Sequence, residues 1–392
     1  NVKKAVIVAG ARTPFGKFGG SLKSFTASQL GGKAIQAAIE RANIDVEHID
    51  QVIMGNVLQG GQGQIPSRQA AKEAGIPWHV KTETINKVCA SGLRSLTLAN
   101  QLIRLGDEEV IVAGGMESMS NAPYFLPDAR WGYRMGDQRV VDMMVHDGLT
   151  CSFTGVHMGM YGNETAKELQ ISRKEQDEWA YRSHMRAIDA IEKGKFKAEL
   201  TPIKVSQRKD SLIVERDEAP RKDTSLEKLA SLQPVFGANG TITAGNAPGV
   251  NDGACAFVVM SEEKAKRLNI EPLATIISHA EVAVEPKDFP RTPGLVIQKL
   301  LEKTNKSKED IALFEINEAF AAVALASIKV AGLEAEKVNV NGGAIALGHP
   351  IGASGARIVL TLIYELKRRG GGLGIAAICS GGGQGDAILL EV

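Results

Sequence analysis

"CASGLRSLTLANQLIRLGDEEVIVAGGMES", residues 89–118, aligns with "GASGARIVLTLIYELKRRGGGLGIAAICSGGGQ", residues 352–384, across one short glycine insertion. In each copy A-S-G opens an amphipathic helical stretch and an arginine, Arg94 or Arg357, follows two residues after the glycine. The helix then stops at Gly106 or Gly370, and a buried strand runs into glycines. Agreement of this length exceeds what helix and strand periodicity alone produces, so the chain reads as two homologous halves. The copies differ at their ends. Cys89 stands where the second half has Gly352, and Cys379 closes the second strand where the first has Ala113 or Gly114. Each half therefore contributes one thiol, and ligands of open α/β sheets gather at strand carboxyl ends.

Working outward, short apolar runs at 5–9, 52–54, 110–113, 257–260 and 375–378 read as buried strands. Amphipathic stretches such as 28–42 and 91–105 lie between them, which predicts an α/β protein with largely parallel sheets. Residues 120–249 are richer in charge, Met and turn residues, and read as an insertion or lid within the first half. The expected division is therefore 1–119 with 250–270, an inserted 120–249, and 271–392.

The 392 residues suffice for a large core, and 46 Lys plus Arg nearly balance 45 Asp plus Glu. That balance calls for neither nucleic acid nor an anionic membrane as partner. Four dispersed cysteines, with no C-x-x-C pair, argue against a disulfide framework or a common zinc motif and suit a reducing, cytoplasmic setting. No apolar run approaches the roughly 20 residues that span a bilayer, and "KKAVIVAGART" at the start reads as a strand.

Cys89 directly precedes a helix whose first amides point towards the sulfur. The helix dipole there favours a thiolate, so a pKa below the free value of about 8.5 is expected; the alternative is a small packing thiol. In "NVNGGAIALGHPIGASGAR", residues 339–357, dense glycine gives sharp turns around His349, placing the imidazole as a base or ligand. The G-x-x-x-x-G at 343–348 is no P-loop, because His349 stands where Lys is needed. Cys379 ends a strand before "SGGGQGD", a turn able to form an anion-binding nest. Asn317 and Glu318, between a short strand and an Ala-rich helix, serve either as caps or in polarising a substrate. Cys151 and Cys255 read as structural. A zinc site built from Cys89, Cys379 and His349 would have three ligands but no usual spacing.

Together, "NKVCASG" (86–92), "NEAF" (317–320), "NGGAIALGHPIGASGAR" (341–357) and "CSGGGQG" (379–385) resemble the four signature blocks of the thiolase family. The resemblance extends to "ARTPFGKFGG", "GGMESMS" and "TAGNAPGVNDGA", and so covers essentially the whole chain. It implies two βαβαβαββ halves forming a five-layered αβαβα core, with an inserted loop domain that covers coenzyme A.

The implied activity is reversible Claisen condensation of two acetyl-CoA to acetoacetyl-CoA plus CoA. Cys89 would carry the acyl group as a thioester, His349 would draw off its proton, and Cys379 would exchange the α-proton. Asn317, through a water, would join His349 in holding the enolate oxygen, while the Cys89 and Gly381 amides receive the acyl oxygen. Contacts with CoA are implied at His157, Met158, Arg221, Ala244, Pro248, Gly249 and Phe320. CoA would come and go as part of the substrate, with no permanent cofactor and no metal. "HMG" at 157–159 resembles the short-chain branch, and "RWGYRMG" resembles its tetramer-forming loop, implying a dimer of dimers. Pro248, "MGMYGNETAK" and Phe289 in "DFPRTPG" depart from that branch and leave chain length open between acetoacetyl and broader 3-ketoacyl substrates. A non-catalytic CoA- or nucleotide-binding module is the reading from another class.

Overall fold

The computed structural model describes residues 2–392. The first half contains β1 (Ala5–Arg12), β2 (Gly16–Lys17), α1 (Ala27–Ala42), β3 (Gln51–Gly55), α2 (Pro66–Glu73), β4 (Lys81–Ile85), α3 (Ser91–Leu105) and β5 (Val110–Ser118). An excursion follows, with β6 (Tyr124–Phe125), β7 (Val141–Asp142), α4 (Met158–Glu168), α5 (Arg173–Glu192), β8 (Ile203–Ser206), β9 (Ser211–Val214) and α6 (Leu226–Ala230). The chain returns through β10 (Asn251–Ser261) and α7 (Glu262–Arg267). The second half runs β11 (Ala274–Ala283), α8 (Thr292–Thr304), β12 (Leu313–Ile316), α9 (Ala321–Ala331), α10 (Ala344–Leu347), α11 (Ser354–Arg368), β13 (Leu373–Ser380) and β14 (Gln384–Glu391).

The sheet order β4-β3-β5-β10-β1 in the first half is mirrored by β12-β13-β14-β11 in the second. Where the first half has β4, the second has a single parallel bridge from Phe314 to Val338. The repeat found in the sequence is thus a repeat of topology. The half-sheets are joined, because β1 and β11 pair at Val6–Thr275 and Ile7–Ala274.

Three apolar clusters define five layers. Helices α1 and α2 cover one face of the first half-sheet. Helices α3 and α11 fill the centre between both half-sheets, and α8 and α9 cover the far face of the second. Helix α3 forms because Leu93, Leu96, Ala99 and Ile103 repeat at helical spacing and bury one stripe; Gly106 at φ 85° ends it.

The expectation of largely parallel sheets is wrong. Only β3–β4, β3–β5 and β12–β13 are parallel, and the other pairings of the large sheet are antiparallel. Strands covered by helices on both faces read as continuous apolar runs whichever way they point, so direction left no trace in the pattern.

The excursion is fastened by two buried knots, one centred on Arg12 and one on Glu318. Arg12 of β1 binds Glu199 at 2.7 Å and Asp217 through two bonds of 2.7 and 2.9 Å. Glu318 accepts bonds from Trp179 Nε1 and Ser183 Oγ of α5, both 2.8 Å, and from Asn339 Nδ2 and the Ile345 amide. Glu318 is therefore an anchor, not a substrate contact.

Candidate active site

The two A-S-G segments meet at the centre of the molecule. A Cβ on Gly92 would lie 2.7 Å from the Ala356 amide nitrogen, and one on Gly355 would lie 2.5 Å from that of Leu93. Only glycine allows the first turns of α3 and α11 this close approach, so Cys89 and the His349–Gly352 turn are brought to one spot. Glu117, at the end of β5, ties that turn to the segment after β3 by accepting the amides of Val57, Leu58 and Gly352 and one proton of Asn56 Nδ2. Burial pushes the Glu117 carboxyl up to about 7 against those hydrogen bonds.

Just before the cysteine, Val88 holds φ 49°. A β-branched residue is strained in that left-handed region by about 1–2 kcal/mol. The Val88 amide is tied to Asn86 Oδ1 at 2.9 Å, and Ser91 Oγ donates to Val88 O at 2.6 Å, so the kink is held from both sides.

Cys89, His349, Cys379 and Gly381 line one cleft of about 230 Å³ with His157, Met158, Pro248, Gly249 and Phe320. Asn317 is not on its wall; its Nδ2 lies 3.5 Å from His349 Nδ1, behind the ring. His349 is held by its backbone, whose amide donates to Asn251 Oδ1 at 2.9 Å, and by Ser354 Oγ at Nδ1. All four cysteines are free. Among the described residues no group of three or more Cys, His, Asp or Glu is disposed to hold a metal ion.

Electrostatics correct one expectation. The Cys89 thiol is pushed up to about 12, because burial outweighs the hydrogen bonds that the Gly381 and Cys89 amides offer its anion. Helix position loses to desolvation here. Burial also lifts Cys379 well above the ordinary thiol range, and a nearby charge on Cys89 adds to that rise. His349 is pushed down to about 4 by burial and by the Arg357 charge, so it rests as a neutral imidazole. Two neutral thiols and a neutral base share one apolar cleft. A standing thiolate–imidazolium pair in such a cleft would be costly.

The family model described as "Thiolase, N-terminal domain" matches residues 5–263, and "Thiolase, C-terminal domain" matches 270–392. The chain belongs to the thiolase family. It is 50% identical to the acetyl-CoA acetyltransferase of Escherichia coli K12 over 100% of this chain and 99% of that one. A mitochondrial acetyl-CoA acetyltransferase of Mus musculus is 47% identical over 100% of this chain and 91% of that protein. The crystal structure of the Bacillus anthracis acetyl-CoA acetyltransferase superposes with a TM-score of 0.98 at 44% identity, covering 100% of this chain and 99% of that one.

In this thiolase the remaining predicted residues divide between two adjoining spaces. Arg221 and Ala244 line a second cavity of about 610 Å³ beside Lys17, His184 and Lys228. Ala247, Gly249 and Val250 are walls of both cavities. His157 caps α4, its Nδ1 accepting the Gly159 amide at 3.0 Å, and its ring stacks on Phe236 with centroids 4.1 Å apart. Tyr161, Phe289, Phe320 and Phe236 form a chain of edge-to-face rings around the apolar end of the cleft.

Glu117, Asn251, Ser354 and Phe236 also shape the site, and the sequence reading gave them no role. Glu117 did carry a signal, a charge ending a buried strand. Asn251 lies inside "TAGNAPGVNDGA", a stretch noted only as resembling the family.

Proposed function

We propose that this thiolase is an acetyl-CoA C-acetyltransferase, joining two acetyl-CoA into acetoacetyl-CoA and CoA and catalysing the reverse. The observation that carries this is two free thiols and a neutral imidazole lining one cleft with mostly apolar walls. Cys89 attacks the thioester carbonyl while His349 takes its proton, and CoA leaves as the thiol. The amides of Cys89 and Gly381 receive the carbonyl oxygen, the same groups that meet the Cys89 sulfur. Cys379 then passes its own thiol proton to His349 Nε2, and its thiolate takes an α-proton from a second acetyl-CoA. The resulting carbanion displaces Cys89, which leaves as a thiolate and recovers the proton from His349. Thioester exchange is near balanced in energy, so sulfur holds the acyl group without trapping it. While His349 carries the proton from Cys379, its Nε2–H, with Asn317 behind the ring, holds the enolate oxygen.

The pantetheine chain runs past His157, Met158 and the Pro248–Gly249 turn. The phosphate-bearing end occupies the second cavity, where Lys17, Arg221 and Lys228 supply positive charge. The aromatic chain from Tyr161 to Phe236 supports short acyl groups over the broader 3-ketoacyl alternative, because rigid rings wall that side of the cleft. The division at 1–119 with 250–270, 120–249 and 271–392 belongs to the same reading, with the middle section as the CoA cover. Exposed Trp131 and Met135, 90% and 92% accessible, support assembly as a dimer of dimers. No described helix is long and apolar enough to cross a membrane, and we read the enzyme as a cytoplasmic one of acyl-CoA metabolism.

Incubation with acetyl-CoA followed by peptide mass analysis tests the proposal. An acetyl adduct on the peptide containing Cys89 is expected. Its absence would sink the acyl-enzyme route.

A further inference from the structure

The internal repeat permits a comparison that neither half offers alone. With Cys89 aligned on Gly352, Ser91 corresponds to Ser354 and Lys87 to Pro350. In the first half the Ser91 hydroxyl is fully used: it accepts the Lys87 amide at 2.8 Å and donates to Val88 O at 2.6 Å. In the second half Pro350 has no amide proton to give. Ser354 Oγ keeps a carbonyl partner, Pro350 O at 3.1 Å, which also takes the Ala353 and Ser354 amides. The place of the missing amide is taken by His349 Nδ1, which sits against Ser354 Oγ.

We propose that Ser354 is a positioning residue that sets the tautomer of His349: with Pro350 withholding its amide, the hydroxyl donates to Pro350 O and accepts from Nδ1–H, leaving Nε2 unprotonated. A hydroxyl carries one proton and accepts where that proton is not. Asn317 Nδ2, at 3.5 Å, is too far to compete as a donor to Nδ1. The unprotonated Nε2 is then the atom that takes the Cys89 proton, and the imidazolium formed keeps Nδ1–H on Ser354. The inference rests on the acyl-enzyme reading above, and it gives the His-Pro pair a purpose: the proline turns a structural serine into a partner of the base.

The test is 15N–1H correlation spectroscopy of 15N-histidine-labelled protein at neutral pH, with His349 assigned by loss of its signals in His349→Asn. Wild type should show the Nδ1–H form. Ser354→Ala should shift His349 to the Nε2–H form or a mixture and slow Cys89 acetylation about 10- to 100-fold; Ser354→Thr should restore both. Pro350→Ala, which returns an amide to compete for Ser354 Oγ, should shift the tautomer in the same direction. Ser91→Ala should leave the His349 signals as they are. An Nε2–H form in wild type, or an unchanged tautomer in Ser354→Ala, overturns the proposal. The spectrum reads the ring directly, so failure to acetylate Cys89 in wild type would count against the acyl-enzyme and not against the tautomer.

Discussion

Gly92 and Gly355 pack at the crossing of α3 and α11 with backbone against backbone, each lacking room for a single methyl group. Glycine early in a helix usually costs stability, yet here it sets the separation of the two helix starts and with it the geometry of the cleft. Gly355→Ala should therefore lower stability by about 1–3 kcal/mol through overpacking. The midpoint of urea unfolding measures this. An unchanged midpoint would mean that the crossing relaxes without cost.

In the proposed route Cys379 is the group that exchanges the α-proton. Cys379→Ala should leave acetylation of Cys89 intact while condensation falls by about 10²–10⁴-fold, the usual contribution of a placed acid or base. Burst acetylation and acetoacetyl-CoA formation are measured on the same sample. Condensation at the wild-type rate would assign the α-proton elsewhere.

The acid side of the pH profile should report His349. An ordinary imidazole is half protonated near pH 6.5, whereas this one, pushed down to about 4, remains a base well below that. Acetylation of Cys89 should accordingly hold its rate from pH 7 to about 5.5 and fail only below. Stability follows the same sign. The unfolded imidazole gains its proton near 6.5 and the folded one only near 4, so the contribution of His349 is present above 6.5 and lost as pH falls towards 4. A rate that halves at pH 6.5 would contradict the buried, neutral base.

Phe289 closes the apolar end of the cleft against Tyr161 and Phe320. Phe289→Ala should raise the kcat/KM ratio of six-carbon to four-carbon 3-ketoacyl-CoA in thiolysis by about 10- to 200-fold, the usual worth of pocket space for added methylenes. Thiolysis rates on the two substrates decide it. A ratio that does not move would place the chain-length limit at another wall.

Much of this was readable along the chain because it is local. The A-S-G helix starts, the strand-end cysteine and the glycine-flanked histidine each announce themselves within about a dozen residues. Strand direction was lost because burial on both faces erases it. The supports of the site were lost because they act at a distance: Asn251 reaches His349 across 98 residues, and Glu117 reaches Gly352 across 235. Ser354 was hidden in another way. Its counterpart Ser91 is structural, and only the hydrogen bonds around the two hydroxyls separate them. The thiolate expected at Cys89 failed because a helix end can be read from sequence, while the dryness of its surroundings cannot.

The anchor at Glu318 imposes an order of events during synthesis. Trp179 and Ser183, which it holds, leave the ribosome well over a hundred residues before Glu318 does. Over that interval, at about 5–20 residues per second, the excursion has Arg12 of the first half to bind through Glu199 and Asp217, while α5 still lacks its Glu318 partner. The Glu318 anchor of α5 can form only once the second half has been made, and that same half brings His349 and Cys379.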